Sequence, residues 1–291
     1  MKLDTILHKT KIFLDGGDPE ETREMIHLLG GLDGQTTNPT LLAKSPAARA
    51  RHERGEAFTH EEIKELYKQV VVDLSTQIPQ GSISVEVYAD VHTEARDMIR
   101  EAHEMFSWIP NAHIKFPITH AGLMAAARAI RDGMRINMTL CFSQEQAAAV
   151  YAATRGAKKG QIFLSPFVGR LDDRGENGMD LIANIMRMYR SGDGHVEVLA
   201  ASIRTPDHVW AAMQLESDII TMPAKVLREW ASAGCSAPSR DWVYRAAGLA
   251  PITYQEIDMT KDWSEFNISH ELTDQGIARF SQDWNALILK S

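Results

Sequence analysis

The sequence predicts a (β/α)8 barrel, the TIM-barrel arrangement of the α/β class, as a single domain with a C-terminal helical extension. Short apolar runs alternate with longer segments of helical periodicity, which is typical of repeated strand-helix units around a parallel sheet. Eight such pairs fit into 291 residues, the size expected of this barrel with modest additions. Polar residues recur at the carboxyl ends of the apolar runs, where such barrels build their functional sites.

The strands are predicted from short runs rich in aliphatic and aromatic side chains that end at polar or loop-forming residues. The first run carries Ile12 and Leu14 before Asp15, and later runs repeat this alternation of apolar and polar positions. In chain order the predicted strands cover residues 11–15, 32–38, 82–87, 112–117, 135–140, 161–166, 197–202 and 218–223.

A segment with apolar residues at helical spacing follows every predicted strand. The second strand is followed by two such segments, and the others by one each. In chain order the predicted helices cover residues 20–29, 39–50 with 61–78, 93–106, 121–131, 144–153, 179–189, 206–215 and 224–232.

Residues 1–233 are expected to form the catalytic barrel, and residues 234–291 a C-terminal extension packed on it. A helix-like run covers residues 273–287, and the extension also holds Trp242, Trp263 and Trp284. Aromatic side chains bury large areas, so we expect the extension to wrap the barrel and cover the rim of its pocket. The alternative is a subunit interface in a homo-oligomer, because exposed aromatic surface is otherwise a liability.

Lys115 is the most informative residue of the chain. Ile114 and Phe116 share one face of its strand because strand residues alternate. If these two pack against helices, Lys115 points into the barrel, where an ammonium is costly unless it is paired or loses its proton. A lysine without its proton is a nucleophile toward carbonyl groups. The alternative is a structural pair with a buried carboxylate.

Polar side chains of the other strands are expected to share the barrel mouth with Lys115. Most lie on the parity opposite to the aliphatic residues of their strand. Together with Lys115 they place polar groups at one end of seven strands, which is better explained by a shared pocket, because a core of unpaired polar groups would not fold. These residues are Asp15, Asn38, Glu86, Asn137, Thr139, Ser165, Ser202 and Arg204.

These residue types suit an aldol reaction. A neutral Lys115 can attack a substrate ketone and, after loss of water, give a protonated Schiff base that withdraws electrons from the adjacent carbon-carbon bond. Cleavage needs a base and dehydration needs a proton shuttle, and Asp15 and Glu86 are the two inward carboxylates available. The residues expected to position hydroxyl groups or a catalytic water are Asn38, Asn137, Thr139 and Ser165.

Two arginines indicate recognition of an anion. Arg170 follows the sixth predicted strand and Arg204 closes the seventh, and arginine forks match phosphate oxygens. Phosphate sites are frequent in the late loops of these barrels. The alternative is that Arg170 pairs with Asp172 or Asp173 on a solvated loop.

The chain closely resembles the transaldolase family. The resemblance rests on eight motifs in the family's order, at residues 13–15, 36–40, 85–87, 114–117, 136–140, 165–170, 201–204 and 272–276. It implies transfer of a dihydroxyacetone unit from a ketose phosphate, such as sedoheptulose 7-phosphate or fructose 6-phosphate, to an aldose phosphate. The reaction would use a Schiff base on Lys115 and belong to the pentose phosphate pathway.

The same resemblance implies roles for individual residues. Asp15 would be the base for the C4 hydroxyl, and Glu86 with Thr139 would hold the catalytic water. Substrate contacts are implied for Asn38, Asn137, Ser165, Phe167 and Ser202, and phosphate contacts for Arg170 and Arg204.

Two other functions stay open at this point. Fructose-6-phosphate aldolases resemble the chain too, but they typically carry glutamine at the position of Glu86 and tyrosine at that of Phe167. A catalytically silent barrel that acts as an interaction protein is the alternative from another class. The intact Lys115 and Asp15 disfavour it.

The composition, with 44% hydrophobic and 24% charged residues, is ordinary for a soluble globular domain. A net charge of −8 argues against nucleic acid as a partner. No apolar run reaches membrane-spanning length, so we expect a cytoplasmic protein without membrane partners. The resemblance to the transaldolases implies small sugar phosphates as its binding partners. Cys141 and Cys235 are too few for a disulfide framework, and Cys141 is interpreted as a buried filler rather than a reactive thiol. The 11 histidines are scattered, so no metal site is expected. No cofactor is expected either.

Overall fold

The computed structural model describes residues 10–239 and 241–288 of the chain. Eight parallel strands form a closed barrel in sequence order, and the last strand pairs with the first. The strands are β1 (Lys11–Asp15), β2 (Gly34–Thr36), β3 (Ser82–Glu86), β4 (Ala112–Pro117), β5 (Ile136–Cys141), β6 (Ile162–Pro166), β7 (Val196–Ala200) and β8 (Ile219–Met222). The predicted (β/α)8 fold is confirmed.

Helices connect the strands and cover the outside of the barrel. Those of the described ranges are α1 (Pro19–Leu29), α2 (Pro39–Ala43), α3 (Pro46–Glu53), α4 (His60–Gln77), α5 (Ala95–Phe106), α6 (His120–Arg131), α7 (Gln144–Ala153), α8 (Val168–Asp173), α9 (Gly178–Tyr189), α10 (Pro206–Gln214), α11 (Ala224–Ser232) and α12 (Glu271–Asn285). None of these helices is long and apolar enough to cross a membrane.

The helix predicted over residues 39–50 is divided in two. The first part, α2, ends at Ala43, and α3 begins at Pro46. A proline nitrogen donates no hydrogen bond, so it interrupts a helix but is well tolerated in the first turn of a new one. The side chain of Ser45 caps α3 by accepting from the backbone N of Ala48. The prediction of one continuous helix was therefore wrong.

Strand β2 is shorter than the strand predicted over residues 32–38. Strand β2 ends at Thr36, and α2 begins three residues later, at Pro39. Asn38 is the N-cap of that helix, and its Oδ1 accepts from Leu41 N at 2.9 Å. The cap holds Asn38 at the carboxyl end of the barrel.

The apolar core has two parts. The larger part lies between the strands and the helices and includes Ile114 and Phe116, which are fully buried. A smaller cluster occupies the barrel interior and contains Phe13, Phe163, Leu199, Ala201 and Ile219. Gly34 makes room for it, because a Cβ at that position would lie 2.5 Å from the Phe13 ring. The small apolar cluster thus fills part of the barrel interior, and the polar residues lie at the carboxyl end.

The last helix of the extension packs across the carboxyl end of the barrel, against α2 and β5. Thr273 Oγ1 donates to Leu140 O at 2.9 Å, and Gln146 Nε2 donates to Thr273 Oγ1 at 2.8 Å. These bonds hold the amino end of α12 over β5. Phe280, two turns further along, therefore reaches the barrel mouth.

Candidate active site

A cavity of about 290 Å³ opens at the carboxyl end of the barrel. The sequence-predicted residues that line it are Asp15, Asn38, Lys115, Thr139, Ser165, Phe167, Arg170 and Ser202. Glu86 and Asn137 are buried beside it and contact two of these residues. Arg204 is the one predicted site residue that neither lines the cavity nor touches a lining side chain through a described hydrogen bond or ion pair. The alternation of side chains along the strands thus brings nearly all the predicted site residues together.

Lys115 is buried at the cavity floor, with about 3% of its surface exposed. Its Nζ lies 2.8 Å from Glu86 Oε2 and donates to Thr37 O at 2.9 Å. The pairing with a buried carboxylate, which the sequence left as an alternative, is therefore present. The pair also faces a cavity, so its nitrogen lies within reach of a small molecule.

The two carboxylates beside Lys115 have different contacts. Asp15 Oδ1 accepts from Thr36 Oγ1 at 2.7 Å, and Thr36 Oγ1 lies 2.7 Å from Thr221 Oγ1. Because the single Thr36 proton goes to Asp15, Thr221 donates to Thr36. Burial raises the pKa of Asp15 and that of Glu86 above their usual range, and in both the attraction of Lys115 opposes the rise.

The neutral polar residues of the site differ in whether they have a hydrogen-bond partner. Ser165 Oγ donates to Asn137 Oδ1 at 2.7 Å, and Asn137 Nδ2 donates to Ser84 Oγ at 3.1 Å. Thr139 Oγ1 is buried and has no hydrogen-bond partner among the described residues. A buried hydroxyl without a partner costs roughly 1–3 kcal/mol, so Thr139 is suited to bind a substrate or a water molecule.

The two predicted anion-binding arginines have different surroundings. Arg204 pairs with Asp173, with Nη2 to Oδ2 at 2.6 Å, on the exposed side of the loop. Arg170 has no ion-pair or hydrogen-bond partner in the described ranges and lies 5.6 Å from the ring centres of both Phe167 and Phe280. The ion pair with a loop carboxylate that was considered for Arg170 is thus made by Arg204 instead. The Arg170 guanidinium is available to a ligand in the cavity.

Two strained backbone positions flank the site. Leu140 and Ser202 have φ values of 61° and 56°, in the left-handed region that side chains other than glycine rarely occupy. Such strain persists only where the surrounding structure holds it, and it clusters at functional sites. Leu140 directly follows Thr139, and Ser202 lines the cavity.

Several cavity residues were not predicted from the sequence. Thr36 and Thr221 point inward on β2 and β8, and their inward parity was the available signal. Lys44, Arg279 and Phe280 also line the mouth; their positions depend on the docking of α2 and α12, which no local pattern indicates.

Cys141 and His113 are both buried in the core. Burial raises the pKa of the Cys141 thiol to about 12, which disfavours the reactive thiolate. Burial lowers the pKa of His113 to about 3, and its ring nitrogens contact Ser82 Oγ at 2.6 Å and Gly160 O at 3.1 Å. Within the part of the chain that the structure describes, no group of three or more His, Cys, Asp or Glu residues is arranged to hold a metal ion.

The fold and the site together define a (β/α)8-barrel protein with a buried lysine-carboxylate centre at its carboxyl mouth. Comparison with known proteins shows the family. A family model described as Transaldolase/Fructose-6-phosphate aldolase matches residues 12–290. The chain therefore belongs to the transaldolase/fructose-6-phosphate aldolase family.

Individual relatives are similar over nearly their whole length. A probable transaldolase of Dehalococcoides mccartyi is 35% identical over 277 residues, which are 95% of this chain and 99% of the relative. One of Bdellovibrio bacteriovorus is 34% identical over 94% of this chain and 97% of its own. One of Brucella anthropi is 35% identical, with 94% and 96% covered. The resemblance noted in the sequence is confirmed.

Proposed function

We propose that this protein is a transaldolase, which transfers a dihydroxyacetone unit from a ketose phosphate to an aldose phosphate through a Schiff base on Lys115. The observation that carries the proposal is the Lys115 nitrogen at the cavity floor, 2.8 Å from a buried carboxylate. Sedoheptulose 7-phosphate and fructose 6-phosphate are the proposed donors, which would place the reaction in the pentose phosphate pathway and in the cytoplasm.

The first step activates the lysine. Transfer of one proton from the Lys115 ammonium to Glu86 leaves a neutral amine, and burial supports this transfer because it raises the pKa of Glu86. The amine attacks the ketone carbon of the donor, one of its protons passes to the former carbonyl oxygen, and the resulting neutral carbinolamine carries a hydroxyl. Glu86 returns its proton to that hydroxyl, through a water held with Thr139, and the hydroxyl leaves as water. A protonated Schiff base remains.

The second step breaks the carbon-carbon bond. Asp15 takes the proton of the C4 hydroxyl, the C3–C4 bond breaks, and its electron pair moves into the Schiff base to give an enamine. The aldose phosphate leaves as an aldehyde, and a second aldehyde then accepts the three-carbon unit by the reverse steps. Hydrolysis of the new Schiff base releases the product and restores the lysine.

The cations at the mouth support binding of a phosphate. Arg170 lines the cavity, and burial, followed by the nearby Arg204 guanidinium, lowers its pKa from the ordinary value. A bound anion would relieve both effects. Lys44 and Arg279 line the same mouth, and Ser202 adds a hydroxyl group. Sugar phosphates fit this arrangement better than neutral sugars do.

The lyase alternative within the family is disfavoured by Phe167. Its ring lines the cavity and lies edge-on to Phe142, with 5.7 Å between the ring centres. A phenyl ring offers no proton, so it does not help to protonate the enamine and release free dihydroxyacetone. The intermediate would instead persist until an acceptor aldehyde arrives.

Borohydride trapping tests the proposal. Borohydride added with fructose 6-phosphate should leave a reduced three-carbon adduct on Lys115, seen by intact mass and located by peptide mapping. A Lys115→Met variant is the control and should stay unmodified. An adduct on another lysine, no adduct at all, or loss of activity with a chelator would contradict the Schiff-base mechanism.

The same preparation separates the two family activities. Coupled assays of free dihydroxyacetone and of transferred product, with erythrose 4-phosphate as acceptor, measure the two fluxes independently. We expect transfer to exceed release by far. Release as fast as transfer would assign the protein to the aldolases.

A further inference from the structure

We propose that Tyr67 is a positioning residue for the reaction at Lys115, because its hydroxyl is hydrogen-bonded to Thr37 and Glu86, and each of these contacts the Lys115 nitrogen. The proposal rests on the proposed function and extends it to a residue of α4, outside the eight strands. Tyr67 does not line the cavity, and it would act only through Thr37 and Glu86.

The Tyr67 hydroxyl links two strand ends. It accepts from Glu86 N at 2.9 Å and lies 2.6 Å from Thr37 Oγ1. Thr37 Oγ1 in turn donates to Ser84 O at 2.8 Å. A threonine hydroxyl has one proton, so Tyr67 must donate to Thr37. All the protons of this chain, from Glu86 N through Tyr67 and Thr37 to Ser84 O, are thereby assigned.

The chain of bonds replaces one rung of the sheet. The ladder between β2 and β3 ends with Thr37 N donating to Ser84 O at 3.1 Å. In an evenly spaced parallel ladder the next bond would run from Glu86 N to Thr37 O. Here Glu86 N donates to Tyr67 instead, and Thr37 O accepts from Lys115 Nζ at 2.9 Å. Tyr67 thus leaves a backbone carbonyl free for the lysine.

Both contacts of the lysine nitrogen depend on this arrangement. Lys115 Nζ is held by Thr37 O and by Glu86 Oε2, at 2.9 and 2.8 Å. Each of these residues is bonded to the Tyr67 hydroxyl. A shift of either would change the direction of the nitrogen toward the ketone carbon, and a misplacement of about 1 Å is enough to cost roughly a hundredfold in rate.

The phenol ring is itself held in place by packing. Tyr67 is fully buried, and its ring lies edge-on to Trp108 and Trp284, with ring centres 6.0 and 6.1 Å apart. Burial raises the pKa of the Tyr67 hydroxyl above its ordinary value, so the group keeps the proton that it donates. Trp284 belongs to α12, which therefore supports the site from outside the barrel as well.

The test is Tyr67→Phe, which keeps the ring and removes only the hydroxyl. We expect kcat and the single-turnover rate of borohydride-trapped adduct to fall roughly ten- to a hundredfold, with KM within about twofold of the unmodified protein. The matched control is Tyr189→Phe. Tyr189 is also buried, and its hydroxyl donates to Ala147 O at 2.7 Å, away from the cavity. The Tyr189→Phe variant should lower the melting temperature about as much as Tyr67→Phe does and leave the trapping rate unchanged.

The outcomes separate this proposal from the proposed function. If the unmodified protein forms no adduct, the proposed function fails. If it forms the adduct and Tyr67→Phe forms it equally fast, or changes KM alone, Tyr67 is not a positioning residue. Equal losses in Tyr67→Phe and Tyr189→Phe would mean general destabilisation and would also overturn the proposal.

If the Tyr67→Phe protein does not fold, a second variant, Thr37→Val, tests the proposal. Thr37→Val keeps the backbone carbonyl for Lys115 and removes the hydroxyl that accepts from Tyr67. It should lower the trapping rate with little change in KM. An unchanged trapping rate in Thr37→Val would then overturn the proposal.

Discussion

At the scale of single residues, the two carboxylates of the site differ in their contacts. Glu86 contacts the Lys115 nitrogen directly, whereas Asp15 is held by Thr36. Burial raises the pKa of both, so each can accept a proton more readily than an exposed carboxylate. Their different partners fit the two roles proposed for them, proton exchange with the lysine and removal of the hydroxyl proton.

The two arginines should also differ in their effects. Arg170→Ala should raise KM for fructose 6-phosphate roughly ten- to a hundredfold, the usual effect of losing a charge-assisted hydrogen bond. Arg204→Ala should have a smaller effect, because Arg204 already pairs with Asp173 at an exposed position. Steady-state kinetics of both variants measure the difference.

A surface arginine serves as the control for this pair. Arg128 pairs with Asp132 on the outside of the barrel, with its side chain 65% exposed, and Arg128→Ala should leave KM unchanged. An effect of Arg204→Ala as large as that of Arg170→Ala would show that substrate draws Arg204 away from Asp173. Unchanged KM values in both variants would contradict the proposal that these arginines bind the substrate phosphate.

At the scale of elements, α12 completes the barrel mouth. Thr273 is bonded to the carbonyl of Leu140, whose left-handed φ of 61° turns the end of β5 next to Thr139. Gly276 lets the helix approach this turn, because a Cβ there would lie 2.6 Å from Leu140 Cδ2 and 3.1 Å from Arg170 Nη1. The helix therefore influences the positions of both Thr139 and Arg170 through close packing.

Gly276→Ala should consequently destabilise the protein and lower kcat. Overpacking typically costs about 1–3 kcal/mol, and the helix propensity of alanine returns about 1 kcal/mol. Urea unfolding and steady-state kinetics check the two effects. Gln275→Ala, an exposed position on the same helix, is the control and should change neither. A Gly276→Ala protein more stable than the unmodified one would contradict the close approach.

At the scale of the whole molecule, the barrel combines an apolar shell with buried charged groups that oppose folding. Because burial raises the folded-state pKa of Asp15, ionising this carboxylate destabilises the folded protein. The stability penalty is absent below the unfolded-state pKa of about 3.9 and fully present above the raised folded-state pKa. Stability from this group is thus lost as the pH rises through that interval.

Asp15→Asn should therefore be inactive yet more stable than the unmodified protein at neutral and alkaline pH. The asparagine oxygen can still accept from Thr36, and the gain in unfolding free energy is about 1.4 kcal/mol per unit of raised pKa. Urea unfolding at several pH values measures it. The gain should shrink to zero below about pH 4; a gain that does not change with pH would contradict the linkage.

The amino-acid sequence by itself determined the barrel and most of the pocket. Eight alternations of strand and helix are local patterns, and side-chain alternation along each strand decides which residues face inward. That is why the sequence alone could place Asp15, Lys115 and Thr139 on one surface. The division between α2 and α3 was also encoded locally, by Ser45 and Pro46, although it was not predicted.

Only the tertiary structure decided which partners these residues have. The bond from Lys115 to Thr37 O, the pairing of Arg204 with Asp173 and the chain of bonds through Tyr67 each join residues far apart in the sequence. Such contacts depend on how the barrel closes and on where α4 and α12 dock on it. No period of two or 3.6 residues encodes that docking, because it depends on the summed packing of surfaces that meet only in the folded chain.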